Sequence, residues 1–159
     1  MVHIRSEEEI LKIAKSCQIV ADTLNLIQNY IKPGQSVLEL DKLAEDFIKS
    51  KGARPAFKGY MGFPSTLCIS IDDAVVHGIP KDELLQKGQI IGIDCGAELD
   101  GYYGDHAKSF PVSNISQDKK KLLEVTKESL ERGIKVAKVG NYVGDIGHVI
   151  QNYAEQNGF

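Results

Sequence analysis

Two aspartates interrupt an apolar strand pattern near the middle of the chain. Asp94 follows the run 89–93 at a position where a core-facing side chain is expected, and Asp105 comes eleven positions later. Between them, Asp100 and Gly101 form a strong two-residue hairpin signal flanked by alternating apolar residues. This spacing predicts two strands, Ile90–Leu99 and 102–112, with one carboxylate on each.

The turn predicts the register of this hairpin. Asp94 then lies opposite Ala107 and Asp105 opposite Gly96, so the two carboxylates are diagonal neighbours on one side of the sheet. The small opposing residues leave room over the strands. Two carboxylates this close on a half-buried face need a proton or a cation between them. A pair of divalent metal ions suits them, since carboxylate oxygens bind hard or borderline ions and can bridge two of them.

Two alternatives stay open from the residues alone. One or both aspartates could lie on a solvent face, where an ionised carboxylate carries little cost. A bulge near Gly104 would shift the register by one residue and separate the pair. Cys95 and His106 face each other on the opposite side of the same hairpin, so neither is expected to be a ligand.

Bulk composition narrows the classes of function. The 159 residues are 42% hydrophobic and 26% charged, with a net charge of -3, which disfavours nucleic acid as a direct partner. No apolar run approaches the ~20 residues of a membrane span, so membrane binding is not expected. Three widely spaced cysteines indicate free thiols, and a charged start rather than a signal peptide favours the cytoplasm.

Two helices are predicted before the strands in the sequence, and two after them. Capping boxes at Ser6–Glu9 and 36–39 open the first two helices. Ser116 caps a third helix and a fourth runs from about residue 142 to 157. The expected inward positions of the third helix are Leu122, Leu123, Thr126, Leu130, Ile134 and Ala137. Two further strands are predicted, Leu67–Ile71 and a short one at 74–77.

The fourth helix repeats features of the second. A loop glycine, two core positions and a stop glycine recur at a constant offset of 106: Gly34, Leu40, Phe47 and Gly52 match Gly140, Ile146, Tyr153 and Gly158. Each copy also follows a longer amphipathic helix. We therefore expect a two-fold repeat, with residues 1–112 as the first copy and 113–159 as the start of a second copy that lacks its sheet.

Two longer stretches carry a family resemblance. "FKGYMGFPSTLCISIDDAVVHGIP" (57–80), followed by "IGIDCGAELDGYYGDHAKSF" (91–110), resembles the type I methionine aminopeptidases, and the resemblance runs the length of the chain. It implies a single metallo-aminopeptidase domain with the α+β pita-bread fold of two related halves, here the N-terminal half plus the helices that open the second. The implied activity is removal of the initiator methionine from nascent proteins by metal-activated water.

The same resemblance implies roles for individual residues. Asp94 and Asp105 correspond to two metal ligands, with Asp105 bridging two divalent ions of Co, Mn, Fe or Zn. His77 corresponds to the catalytic histidine that faces the substrate, and Tyr60, Phe63 and Cys68 to residues that line the methionine pocket. From the residues alone, an exposed turn histidine and ordinary core packing are the simpler interpretations of these four.

Other readings remain beside this one. The family's remaining ligands, a histidine and two glutamates, normally follow a helix like 142–157, so we expect this chain, apparently truncated, to be inactive alone. It could instead be a catalytically incomplete half that acts as a binding module or as part of a split enzyme. A prolyl-type aminopeptidase of the same fold is a further alternative, which the motif at 75–80 disfavours. Nascent chains, the ribosome and a second copy of the chain are the candidate partners.

Overall fold

Serine caps begin three of the four helices. In the computed structural model, which describes residues 3–159, Ser6 accepts a hydrogen bond from the backbone of Glu9, and Glu9 accepts one from the Ser6 backbone. The predicted first capping box is therefore confirmed. The second is only half formed, because Ser36 caps its helix while the Glu39 carboxylate accepts from Gln35 instead.

The chain divides into two units. One ends at Asn114 and the other is Ile115–Phe159. The first holds helices α1 (Glu7–Gln28) and α2 (Val37–Ser50), strands β1 (Arg54–Pro55), β2 (Leu67–Ile71), β3 (Ile90–Leu99) and β4 (Tyr102–Pro111), and a 3₁₀ turn at Tyr60–Gly62. The second holds α3 (Gln117–Val136) and α4 (Val143–Gln156).

All strands of the sheet are antiparallel and β3 is central. It pairs with β2 and β1 along one edge and with β4 along the other. The predicted bounds of β2 and β3 are confirmed, and β4 ends one residue earlier than expected. Strand β1 and the 3₁₀ turn carry no periodic signal because they are only two and three residues long, and the sequence did not predict them.

The predicted strand at 74–77 is wrong. Residues 74–77 do not pair with another strand. The chain is joined to β2 by separate hydrogen bonds at the adjacent Gly78. The Ile69 amide donates to the Gly78 carbonyl at 2.8 Å, and the Gly78 amide donates to the Ser70 hydroxyl at 3.2 Å. The apolar side chains Val75 and Val76 are exposed, so the short apolar run does not bury a face.

One face of the sheet packs on α1 and α2 and forms the core. Alternate residues of β3 point into it, as do the inward residues of the two helices: Ile91, Ile93, Cys95 and Ala97 from β3, Val20, Leu24 and Ile27 from α1, and Leu40, Ala44 and Ile48 from α2. In the first half of α1, by contrast, the apolar residues Ile10 and Cys17 are exposed. This packing leaves the other face of the sheet for polar residues.

Gly104 is the point of closest approach between α1 and the sheet. A Cβ atom there would lie 2.5 Å from the Cys17 amide nitrogen and from the Ser16 carbonyl carbon. The Ser16 hydroxyl also donates to the Tyr102 carbonyl at 2.8 Å. The bulge considered near Gly104 is absent, since Gly104 pairs in register with Ala97.

In the second unit, α3 packs on α4 through a different row of residues from the one predicted. Val125, Ser129 and Gly133 are buried, whereas Leu130 and Ile134 are 56% and 62% exposed. Thr126 and Ala137 are exposed too, and Leu122 and Leu123 are only half-buried. Gly133 explains the difference, because its missing side chain lets Ile150 of α4 approach.

Helices α2 and α4 have the same length. The first and last residues of α4 each lie 106 positions after those of α2, which is the offset of the sequence repeat. Gly34 and Gly140, before the helices, have φ of 84° and 95°, and Gly52 and Gly158, after them, have φ of 74° and 87°. These left-handed values explain why glycine recurs at both places. Over the described part of the chain, no helix has the length and apolarity that crossing a bilayer requires.

Replacing Gly104 with Ala should destabilise the first unit by about 2–3 kcal/mol, because the added Cβ pushes α1 away from the sheet. Gly92→Ala on the paired strand is the matched control, since its Cβ would meet ordinary contacts of 3.6 Å or more. Urea unfolding followed by circular dichroism measures both. Equal stability of the two variants would contradict the close approach of α1.

Candidate functional site

The sheet face that α1 and α2 leave uncovered is acidic. The register pairs Asp94 with Ala107 and Gly96 with Asp105, as the turn predicts. Both carboxylates therefore lie on this face as diagonal neighbours. This pairing excludes the alternative in which a slipped register separates them. Asp94 is half-buried and Asp105 is exposed, so the alternative of a solvent-facing carboxylate holds for Asp105.

Asp94 has an unusual environment for a carboxylate. Within residues 3–159 its Oδ1 atom is buried and has no hydrogen-bond partner. Burial raises the pKa of Asp94, the neighbouring Asp105 raises it further, and the nearby His77 opposes the shift. A buried, unpaired acceptor next to a second carboxylate is a position that a cation would stabilise.

Cys68 lies directly opposite Asp94 on the same face. Strand β2 pairs with β3 in a register that matches these two residues. Burial, followed by the charges of Asp94 and Asp105, raises the pKa of the Cys68 thiol to about 11. The thiol is therefore neutral near pH 7.

His77 stands beside this face in a strained backbone conformation. Its φ is 57°, a left-handed value that is uncommon outside glycine. The next residue must be glycine, since a Cβ on Gly78 would lie 2.1 Å from the Ile69 carbonyl oxygen. His77 is exposed, and its influence on the pKa of Asp94 indicates that the imidazole lies within electrostatic reach of that carboxylate. Backbone strain of this kind is often found at functional positions.

The predicted pocket residues Tyr60 and Phe63 lie on one compact loop. Tyr60 is 68% exposed and Phe63 is half-buried. The Gly59 amide donates to the Phe63 carbonyl at 2.8 Å, and the Phe63 amide donates to the Tyr60 carbonyl at 2.9 Å. Three residues of the loop have left-handed φ, at Gly59, Met61 and Gly62.

Phe57 is a residue of this face that sequence reasoning missed. A Cβ on Gly96 would lie 2.5 Å from the Phe57 ring, so the ring covers Gly96 opposite Asp105. The room expected over Gly96 is therefore filled by an aromatic side chain. The signal was present in the sequence, because a glycine within a buried strand often marks a close approach by another group.

Arg54 and Glu98 form a second unpredicted feature of the same face. Their side chains make an ion pair, and Arg54 also donates to the Tyr103 hydroxyl at 3.0 Å. Glu98 in turn accepts from the Gly101 amide in the hairpin turn. These contacts link β1, β3 and β4 near the hairpin turn. They lie at the pair Glu98 and Tyr103, the next pair on this face after Gly96 and Asp105.

Asp94 and Asp105 are the residues of this face that could hold a metal ion. Among residues 3–159 no group of three or more His, Cys, Asp or Glu side chains is placed to hold a metal ion. Asp94 and Asp105 nevertheless fit a divalent cation, because one is a buried unpaired acceptor and both offer carboxylate oxygens from a rigid hairpin. Cys95 and His106 face each other on the opposite side of the sheet, as the register predicts.

The sequence of the chain matches characterised proteins along its full length. A methionine aminopeptidase of Clostridium acetobutylicum is 47% identical over 160 residues, which cover all of this chain and 64% of the relative. The chain thus spans less than two thirds of the curated relatives that it matches.

Solved structures agree with the fold. The crystal structure of methionine aminopeptidase from Rickettsia prowazekii superposes with a TM-score of 0.96 at 38% identity, covering 98% of this chain and 63% of that one. Prolidase from Pyrococcus furiosus has a TM-score of 0.88 at 23% identity, covering 98% and 45% of the two chains, and shows the fold alone. The predicted α+β pita-bread architecture is confirmed.

A family model ties these likenesses together. The model of the metallopeptidase family M24 matches residues 11–159, which include α2, the whole sheet, the acidic face and both helices of the second unit. With the architecture and the matched residues in agreement, this chain belongs to metallopeptidase family M24.

Proposed function

We propose that this chain contributes the first two metal ligands and part of the substrate pocket of a methionine aminopeptidase, which removes the N-terminal methionine from peptides and nascent proteins. The observation that carries the proposal is the pair Asp94 and Asp105 on one open face, with an unpaired buried oxygen on Asp94 and His77 beside it. The proposed setting is the cytoplasm, where the three free thiols would stay reduced.

Asp94 and Asp105 would be ligands of one or two divalent ions of Co, Mn, Fe or Zn. Such ions supply a Lewis acid that lowers the pKa of water and polarises a peptide carbonyl. The chain's own contribution is orientation. Both carboxylates project from adjacent strands of a ten-pair hairpin ladder, so their spacing is set by the backbone.

His77 and the loop at 57–63 would act on the substrate. An exposed imidazole beside the carboxylates can donate a hydrogen bond to the scissile amide or to the oxygen that gains charge during attack. Tyr60, Phe63 and the neutral thiol of Cys68 offer aromatic and polarizable surface, which suits a thioether side chain.

A binding module of the same fold is the second candidate. The observation that favours it is the set of only two clustered ligands within residues 3–159. The strained His77 argues for the enzyme, since a binding module has no evident need for that conformation. A prolyl-type aminopeptidase has less support, because the prolidase likeness lies at 23% identity and speaks for the fold alone.

The metal proposal predicts a defined loss of affinity. Asp105→Ala should weaken binding of Mn²⁺ or Co²⁺ by about tenfold or more, because it removes one of two carboxylates. Asp118→Ala, an exposed aspartate at the start of α3, is the control and should bind as the unchanged chain does. Isothermal titration calorimetry measures all three proteins. Identical affinities for the two variants would rule out a metal site at Asp105.

The role of His77 predicts a loss in turnover alone. In an enzyme completed with the further ligands, His77→Ala should lower kcat by about 10²-fold while the metal content measured by plasma emission stays the same. A variant that lost metal together with activity would show His77 to be a ligand rather than a group that acts on the substrate.

We also propose that the isolated 159-residue chain self-associates and releases no methionine from Met-Ala peptides. Strand β4 has no second strand partner among the described residues, and Leu130 and Ile134 expose apolar surface on α3. Open edges and apolar patches both recruit partners. Light scattering should give more than a monomer mass, and Ile134→Lys should reduce it. A monomer at all concentrations that releases methionine would refute this expectation.

A further inference from the structure

Two acidic residues on α2 contact the chain near the start of the loop 57–63 and shortly after its end. This loop carries Tyr60 and Phe63. Asp41 and Glu45 are one helical turn apart and so lie on the same side of α2. Glu45 contacts Lys58 at the start of the loop, and Asp41 contacts the backbone of Thr66 and Leu67 at its end. Neither acidic residue belongs to the site described above.

Glu45 is a buried carboxylate with two cationic partners. It is 8% exposed and accepts from Lys49 at 2.5 Å and from Lys58 at 2.8 Å. These two hydrogen bonds lower its pKa to about 2. Because the folded pKa lies below the unfolded one, the stabilisation is complete above about pH 4.5 and is lost as the pH falls toward 2. The contact with Lys58 is therefore fully formed at neutral pH.

Asp41 performs a different task with the same chemistry. A single carboxylate oxygen accepts from the Thr66 amide at 3.0 Å and from the Leu67 amide at 2.7 Å. Burial raises the pKa of Asp41, while these two backbone bonds oppose the shift. Because burying a carboxylate costs free energy, the two amides that Asp41 binds at the start of β2 explain its partly buried position.

Between these anchors the loop is held mainly to itself. The hydrogen bonds of Gly59, Tyr60 and Phe63 all close within residues 57–63. A loop that is closed in this way moves as one body when its attachments loosen. Its orientation over the acidic face thus depends on its attachments to the rest of the unit. These include the Phe57 ring against Gly96, Lys58 with Glu45, and the backbone of residues 66–67 with Asp41.

We propose that Asp41 and Glu45 are positioning residues that hold the 57–63 loop, and with it Tyr60 and Phe63, against the acidic face of the sheet. That this sets the fit of a methionine side chain rests on the function proposed above. The positioning itself does not, and it can be measured without metal or substrate.

Nuclear magnetic resonance of the ¹⁵N-labelled chain tests the Glu45 anchor. In the unchanged chain, amide order parameters at 57–63 should be near ~0.85, and in Glu45→Gln and Lys58→Met they should fall below ~0.6. Lys58→Arg keeps the charge and should restore rigidity. Asp46→Asn is the matched control, since Asp46 is exposed and its ion pair, at 2.7 Å, is with Lys42 on the same helix.

Hydrogen exchange tests the Asp41 anchor. Asp41→Ala should speed exchange of the Thr66 and Leu67 amides about tenfold, whereas Asp41→Asn keeps an acceptor oxygen and should leave it unchanged. Amides in β3 report general destabilisation and should keep their rates in every variant. If Glu45→Gln does not fold, Lys58→Met still tests the contact, because it leaves Glu45 paired with Lys49.

Three results would overturn the proposal. They are unchanged order parameters at 57–63 in Lys58→Met, an equal fall in Asp46→Asn, or a uniform rise in exchange that includes β3. A rigid loop together with normal metal binding would refute the anchors while leaving the proposed function intact. If the variants lost loop order while the unchanged chain bound no metal, the anchors would stand and the proposed function would be refuted.

Discussion

The register of the β3–β4 hairpin is the constraint on which the rest of this structure depends. Asp100 and Gly101 both have positive φ, 53° and 84°, which matches the tight turn that suits the twist of the two strands. Because side chains alternate along a strand, a slip of one residue would send Asp94 into the core and Cys95 to the open face. One turn thus determines which residues meet at the site.

The buried face enforces the same register independently. Gly104 allows α1 to approach the sheet closely, and no other residue at that contact would fit without a shift of the helix. A slipped strand would place Tyr103 or Asp105 against the Ser16 and Cys17 backbone. The turn and the helix contact therefore select the same pairing, and the exposed carboxylates are placed by the packing of the opposite side.

Sequence reasoning succeeded where a pattern is long or a turn is specific. The ten-residue strand β3, the two-residue turn and the serine caps all carry strong local signals, and the pairing of Asp94 with Ala107 followed from them. It failed where the structure is set by contacts between distant residues. The contacts of Phe57 with Gly96 and of Glu45 with Lys58 join residues that no periodicity relates.

The failure on α3 has a related cause. Hydrophobicity pointed to the row with Leu130 and Ile134, yet the contact with α4 runs through Ser129 and Gly133. Small residues allow two helices to approach closely, so the best-packed row is not the most apolar one. Only the partner helix decides between them, and one helix considered alone does not contain that information.

The charges of Asp94 and Asp105 affect two features of the acidic face. Asp94 and Asp105 together create a negative potential that favours a cation between them. Burial is the main reason that the pKa of Cys68, which lies directly across from Asp94, rises to about 11, and the two carboxylates raise it further. A neutral thiol is a poorer metal ligand than a thiolate. Burial and the carboxylates thus act in the same direction on Cys68, and its protonated thiol leaves the carboxylate oxygen atoms as the better metal donors of this face.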